Sequence, residues 1–115
     1  MIGNVKDVLT KIIDSPEVKE TSMKVLIGAT EGWKDHVMRQ MEVGVDGYTP
    51  KHSHDWPHIN YMVAGEGELM IEGVVTKVTA GSYAYVPANK LHQFKNTGKV
   101  AFKFLCIVPE LGHTY

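Results

Sequence analysis

Glycine or proline interrupts this chain at short intervals: Gly28, Gly32, Gly44, Gly47, Pro50, Pro57, Gly65, Gly67, Gly73, Gly81, Pro87, Gly98 and Pro109. Proline removes a backbone donor and clashes inside a helix, and glycine weakens one through its conformational freedom. The pieces left between them are strand-sized. They are rich in Val, Ile, Tyr, Phe and Met and often alternate, as in Met23 to Ala29, Asp35 to Val43, Ile59 to Val63, Glu68 to Glu72, Val74 to Thr79, Tyr83 to Val86 and Val100 to Val108. Many short strands with regular turns predict an all-β sandwich or barrel. Only the N-terminal arm, residues 1–20, leaves room for a helix. There Val5, Leu9, Ile12 and Ile13 fit one helical face about as well as a strand.

The chain has 115 residues, enough for one domain of ordinary size, about 100 to 150 residues, and not for two. No repeat, low-complexity tract or linker offers a boundary, so residues 1–115 are expected to form a single domain. Twelve basic against thirteen acidic side chains give a formal net charge of -1, without long runs of either sign. Neither nucleic acid nor an anionic membrane is an expected partner. Charged residues Lys6, Asp7, Lys11 and Asp14 break up the apolar N-terminus, unlike the h-region of a secretion signal. No stretch approaches the roughly 20 apolar residues of a membrane span. Cys106 is the single cysteine, which excludes an internal disulfide and a thiolate-paired zinc site. A reducing cytoplasm is the expected location.

Three of the six histidines fall within His52-Ser-His-Asp-Trp-Pro-His58, and His92 follows a turn beginning at Pro87. In an extended chain, residues two apart share a face, so His52 and His54 can aim at one point. A turn at Asp55, Trp56 and Pro57 can return His58 to that point from the next strand. A His-x-His pair alone is a weak signal, often a solvated loop. With His58 and His92 added, the spacing is a ligand-like arrangement, able to bring four imidazoles to one divalent transition-metal ion. Neutral imidazole is a common ligand for manganese, iron, nickel, copper and zinc, and it favours none of them decisively. Four neutral ligands leave the ion its full charge, and an octahedral ion would keep two positions open for water, substrate or oxygen. His36 and His113 lack ligand-like neighbours and read as ordinary surface or strand-end histidines.

These positions resemble the two motifs of the cupin superfamily. Gly47, His52, His54, His58 and Gly65 take the places of the first motif, and Gly81, Pro87, Asn89, His92 and Asn96 those of the second. With flanking strands, the likeness covers a core of residues 44–108. It implies a double-stranded β-helix, or jelly-roll barrel, with a short N-terminal helix or swapped strand as an addition. It is closest to small, single-domain, all-histidine cupins, some of which hold manganese, and it implies a homodimer. The chain departs from the pattern in three ways. His58 stands where most cupins carry a glutamate ligand. Only four residues separate Gly47 from His52, which shifts the turn. Asn89 replaces a glycine, and asparagine tolerates the left-handed conformation that such a turn needs.

Strand alternation then predicts the barrel lining. Asn60 and Met62 share the face of His58, and Phe94 that of His92. If Lys103 faces solvent, Phe102, Phe104, Cys106 and Val108 point inward. The expected substrate pocket is therefore Asn60, Met62, Phe94, Phe102, Phe104 and Val108. Arg39 and Cys106 are the candidates for a part in the chemistry. Arg39 alternates with Val37, Met41 and Val43, and a charge on that face needs a partner. It either pairs with an acid such as Glu42 or Glu68, bends out to water, or binds the carboxylate of a small substrate. Cys106 is either a packed apolar thiol or a redox-active neighbour of the metal, which requires access and a lowered pKa. Trp33, Trp56 and Tyr48 are placed in loops at the mouth. The leading functional expectation is a dioxygenase-like oxidoreductase acting on a small organic molecule. The alternatives are a Lewis-acid isomerase, decarboxylase or hydrolase, and a non-enzymatic binding module.

Overall fold

The computed structural model describes residues 1–113. It contains nine strands: β1 (Lys11–Ile12), β2 (Lys19–Ile27), β3 (His36–Tyr48), β4 (His58–Ala64), β5 (Glu66–Ile71), β6 (Val74–Thr79), β7 (Tyr83–Val86), β8 (His92–Asn96) and β9 (Phe102–Pro109). Helix among the described residues is confined to three 3-10 turns, Val5–Asp7, Ala29–Glu31 and Glu110–Gly112. Each expected segment overlaps a strand, and β6 and β7 match their predicted bounds. The N-terminal arm forms neither a long helix nor a long strand. One 3-10 turn is followed by the two-residue β1 paired with β2. The helical face has no surface to pack on: Leu9 is 91% exposed and Ile12 70%, and Ile13 alone is buried.

All strand pairs are antiparallel, and the sheet runs β6-β5-β8-β3-β9-β4-β7, with β2 also on β3. Strand β3 organises this path because its 13 residues outreach its neighbours. It pairs with β2 and β9 along its length and reaches β8 at its end, through Tyr48 opposite Lys95. The sheet thereby curls into a jelly-roll barrel. Its two-residue periodicity is visible in burial. Val37, Arg39, Met41 and Val43 on β3 point inward, as do Met62 on β4 and Phe102, Phe104, Cys106 and Val108 on β9. Phe94 and Phe104 stack inside with centroids 4.2 Å apart, and Phe102 packs against Phe104 at 5.2 Å.

Polar residues fix the turns. Asn96 Nδ2 donates to the carbonyls of Val43 (2.9 Å) and Val100 (2.8 Å), and its Oδ1 accepts from the Gly98 N–H at 2.8 Å. That buried amide ties the β8–β9 connection to β3. Gly65 joins β4 to β5 at φ 79°, with the Ala101 carbonyl where a Cβ would lie. Asn89 adopts φ 65°, the left-handed conformation expected for the residue standing in a glycine's place.

Candidate metal centre

Backbone pairing brings the histidines together before their side chains meet. Beyond β3 the chain continues beside β8: the Thr49 N–H donates to the Phe94 carbonyl at 3.0 Å. Further along, His52 and His92 exchange both backbone hydrogen bonds, at 3.1 and 2.9 Å. Antiparallel partners opposite one another share a face, so their imidazoles lie together, with ring centroids 4.9 Å apart. The intervening loop is fixed by the Asn89 N–H, which donates to the His54 carbonyl at 2.6 Å. His58 enters as the first residue of β4, inward-facing like Asn60 and Met62.

The ligand atoms of His52, His54 and His92 all lie within 4.8 Å of one another. His58 is beside them, with its Nε2 3.3 Å from Nε2 of His92 and its ring 5.4 Å from that of His54. Two nitrogens at right angles around one ion, each about 2.1 Å from it, stand about 3.0 Å apart. The His58–His92 separation is close to that value.

The outward nitrogens decide which lone pairs are left. His54 Nδ1 donates to the Trp56 carbonyl at 2.7 Å, and His92 Nδ1 donates to the Lys90 carbonyl at 2.9 Å. His58 Nδ1 donates to Asn60 Oδ1 at 2.6 Å, an orientation set by Asn60 Nδ2, which donates to the Leu105 carbonyl at 3.2 Å. Each of these rings, when neutral, therefore presents an unprotonated Nε2. The Nε2 lone pairs of His58 and His92 face each other, an arrangement that needs a cation between them. A proton is a poor candidate. Burial, then the neighbouring His92, lowers the pKa of His58 to about 3, and burial with the same neighbour lowers that of His52 to about 4. Burial also lowers the pKa of His92. The donor set thus fits a divalent metal ion, with second partners of the kind that orient metal-ligating histidines.

The four imidazoles line a cavity of about 50 Å³. By the usual allowance of about 10–15 Å³ per water, that holds an ion and a few waters. Phe94 and Phe104 form its apolar wall with Met41, and Arg39 and Cys106 also line it. Of the expected pocket residues, Phe94 and Phe104 line this cavity. Met62, Phe102 and Val108 are buried in the core and do not line the cavity, and Asn60 serves as the hydrogen-bond partner of His58. Inward parity places a side chain in the barrel without saying whether it meets the cavity or the packed end.

Arg39 is buried and points inward. Its Nη1 donates to His113 Nδ1 at 3.1 Å, and its Nη2 lies 3.9 Å from the Cys106 sulfur. Glu42 pairs with Lys103 instead, at 3.5 Å. Burial pushes the Cys106 thiol pKa up. A thiol so held stays protonated, which fits a packed residue and not the low-pKa requirement of the redox reading. Of the aromatic loop residues, Trp56 lines the cavity and stacks on His54 with centroids 4.4 Å apart and planes 2° from parallel. Trp33 stacks instead on the exposed His36. Ile13, Thr21, Thr49, Pro50, Gly112 and the Arg39 partner His113 were not foreseen at the site. Ile13, Thr21, Gly112 and His113 come from distant parts of the chain, where no local pattern marks them, and Thr49 and Pro50 precede His52 without a ligand-like side chain.

The chain belongs to the cupin domain family, whose pattern it matches over residues 39–108. Among solved structures, the polyketide cyclase RemF from Streptomyces resistomycificus is 29% identical, with a TM-score of 0.88 over 95% of this chain and 78% of its own. A cupin-2 domain from Rhodospirillum rubrum is 25% identical, with a TM-score of 0.79 over 90% of this chain and 69% of its own. A protein from Thermotoga maritima described as a predicted oxalate decarboxylase shares the fold at 21% identity, with a TM-score of 0.84 over 95% of this chain and 98% of its own. No curated protein matches the chain. Among the described residues, no helix is long and apolar enough to cross a membrane.

Proposed function

We propose that the chain is an enzyme holding one divalent transition-metal ion on His52, His54, His58 and His92, and that it acts on a small organic anion. The observation that carries this reading is the pair of opposed Nε2 lone pairs on His58 and His92, 3.3 Å apart and backed by Nδ1 donors. Manganese and iron are the leading ions, as imidazole ligation suits both.

Charge favours an anionic substrate. No acidic side chain lines the cavity among the described residues, and Arg39 does. Its charge reaches far enough to depress the pKa of His52 and His58. With four neutral ligands a bound divalent ion keeps its full charge, which an anionic ligand best balances. Arg39 would hold the carboxylate, and Phe94, Phe104 and Met41 would exclude water.

A divalent ion bound there supplies Lewis acidity toward a substrate oxygen. Two considerations place that chemistry, as in cyclisation, isomerisation or decarboxylation, ahead of the dioxygenase-like oxidation expected from the sequence. Replacing the usual glutamate by His58 removes an anionic ligand that would stabilise a trivalent ion. A solved structure that the chain resembles at 29% identity is described as a polyketide cyclase, which supports cyclisation as one such reaction. Oxidation is the second reading, supported by the apolar walls and the positions left open beside four histidines.

The test is turnover of a panel of small aromatic and β-keto carboxylates by the metal-loaded protein, with and without oxygen. Equal turnover in both atmospheres supports the Lewis-acid reading. Stoichiometric oxygen uptake selects the oxidative one. A carboxylate that binds and is recovered unchanged under both conditions leaves a binding module.

We also propose a homodimer. Ile59, Tyr61, Tyr83 and Tyr85 form an exposed apolar face on β4 and β7, with Tyr83 at 84% exposure. Contiguous apolar surface of this kind marks interaction sites in soluble proteins.

A further inference from the structure

The turn Glu110–Gly112 borders the cavity that the histidines line, and the following His113 reaches Arg39. Gly112 is buried and forms part of the cavity wall. It sits flush on the indole of Trp56, whose atoms occupy the space a Cβ would need. Trp56 in turn stacks on His54. One residue on, His113 is held by Arg39, at 3.1 Å. Both inner contacts of the turn thus fall on residues of the cavity, one aromatic and one cationic. Its outer side is lightly tied: the Glu110 N–H donates to the Asp35 carbonyl at 2.8 Å, and Leu111 is 88% exposed.

We propose that this turn is the door of the cavity, latched by Gly112 on Trp56 and by His113 on Arg39. Opening it uncovers the site and releases the Arg39 Nη1 donor for an incoming anion. A carboxylate makes a stronger, charge-assisted hydrogen bond to guanidinium than a neutral imidazole does. His113 is then a placeholder for the anionic group of the substrate. Segments with few hydrogen bonds and exposed side chains are the parts of a fold that open at low cost. The proposal takes the cavity as the substrate site, and its test needs neither metal nor substrate.

Cys106 supplies the readout, being the single cysteine, 4% exposed and lining the same cavity. The metal-free full-length chain and its Gly112→Ala and His113→Ala variants are treated with iodoacetamide, and the urea midpoint of each is measured in parallel. The added methyl lifts the turn off Trp56, and the second change removes the contact with Arg39. Both variants should be alkylated faster than the native chain, by about tenfold or more, at an unchanged urea midpoint, because the gain reflects local opening. Equal rates in all three proteins would overturn the proposal. So would a gain that merely follows a fall in the midpoint, since labelling then reports global unfolding. Fast labelling of the variants, with no metal bound by the native chain, would keep the door and remove the metalloenzyme reading.

Discussion

Nε2 of His58 and Nε2 of His92 face each other at 3.3 Å, while the opposite nitrogens donate to Asn60 and to the Lys90 carbonyl. One ring comes from the start of β4 and the other from the start of β8, so the pair forms only when the barrel closes. Its outer hydrogen bonds fix the tautomers, and the tautomers fix what the inner nitrogens can accept.

Asn60 is the lever on that arrangement. Asn60→Ala removes the acceptor that holds His58 Nδ1–H, and metal affinity should fall by about 10- to 100-fold, as for other partners of ligating histidines. Asn60→Asp keeps an acceptor and should recover most of the loss. Competition with a chelator of known affinity measures both. Equal affinity in Asn60→Ala would mean that the orientation of His58 is set by packing alone.

The metal-free protein should lose stability in mild acid, and the sign follows from the depressed pKa values. An unfolded histidine protonates near pH 6.5. Folded His58 resists until about pH 3 and folded His52 until about pH 4. Between those limits the unfolded chain binds more protons, so stability falls as the pH drops below about 6.5. For His58 the loss is about 2 kcal/mol at pH 5. Urea midpoints at pH 7.5 and 5 give the slope, and His58→Gln should flatten it. An unchanged slope would show that His58 does not titrate between the two states. Occupied metal should likewise survive below the ordinary histidine range, because protons compete for these rings only in stronger acid.

Asn89 tests the turn before His92. At φ 65°, Asn89→Gly should be neutral or slightly stabilising, whereas Asn89→Val should cost about 1–2 kcal/mol, since β-branched residues resist the left-handed region. Thermal melts of both variants decide it. Equal melting temperatures would mean the turn relaxes to another conformation.

Much of this architecture was legible because strand parity is a local property. Once His58 is known to face inward, Asn60 and Met62 must follow, and Phe102, Phe104, Cys106 and Val108 follow from Lys103 in the same way. The spacing of His52, His54, His58 and His92, together with the motif likeness, also pointed to one site, and all four line one cavity. Depth along the barrel was not legible. Phe104 meets the cavity while Phe102, two residues away on the same face, is buried beyond it. Contacts between distant segments were hidden for a related reason. His113 reads as an ordinary surface or strand-end histidine until the barrel sets it beside Arg39, 74 positions earlier. The arm of residues 1–20 stayed open between helix and strand because its apolar spacing fits both, and a 3-10 turn followed by the short β1 is what forms there.

The exposed face of β4 and β7 should carry self-association. Tyr83→Lys together with Tyr85→Lys should convert a dimer to a monomer in light scattering after gel filtration, without loss of metal. A native chain that is already monomeric at micromolar concentration would set this face aside.

The most direct test of the central claim is elemental analysis of the purified native chain beside a variant with His52, His54, His58 and His92 all changed to Ala. The account predicts about one manganese or iron per native chain and none in the variant, with His58→Ala alone lowering occupancy. No metal in the native chain after reconstitution, or equal metal in both proteins, would contradict it.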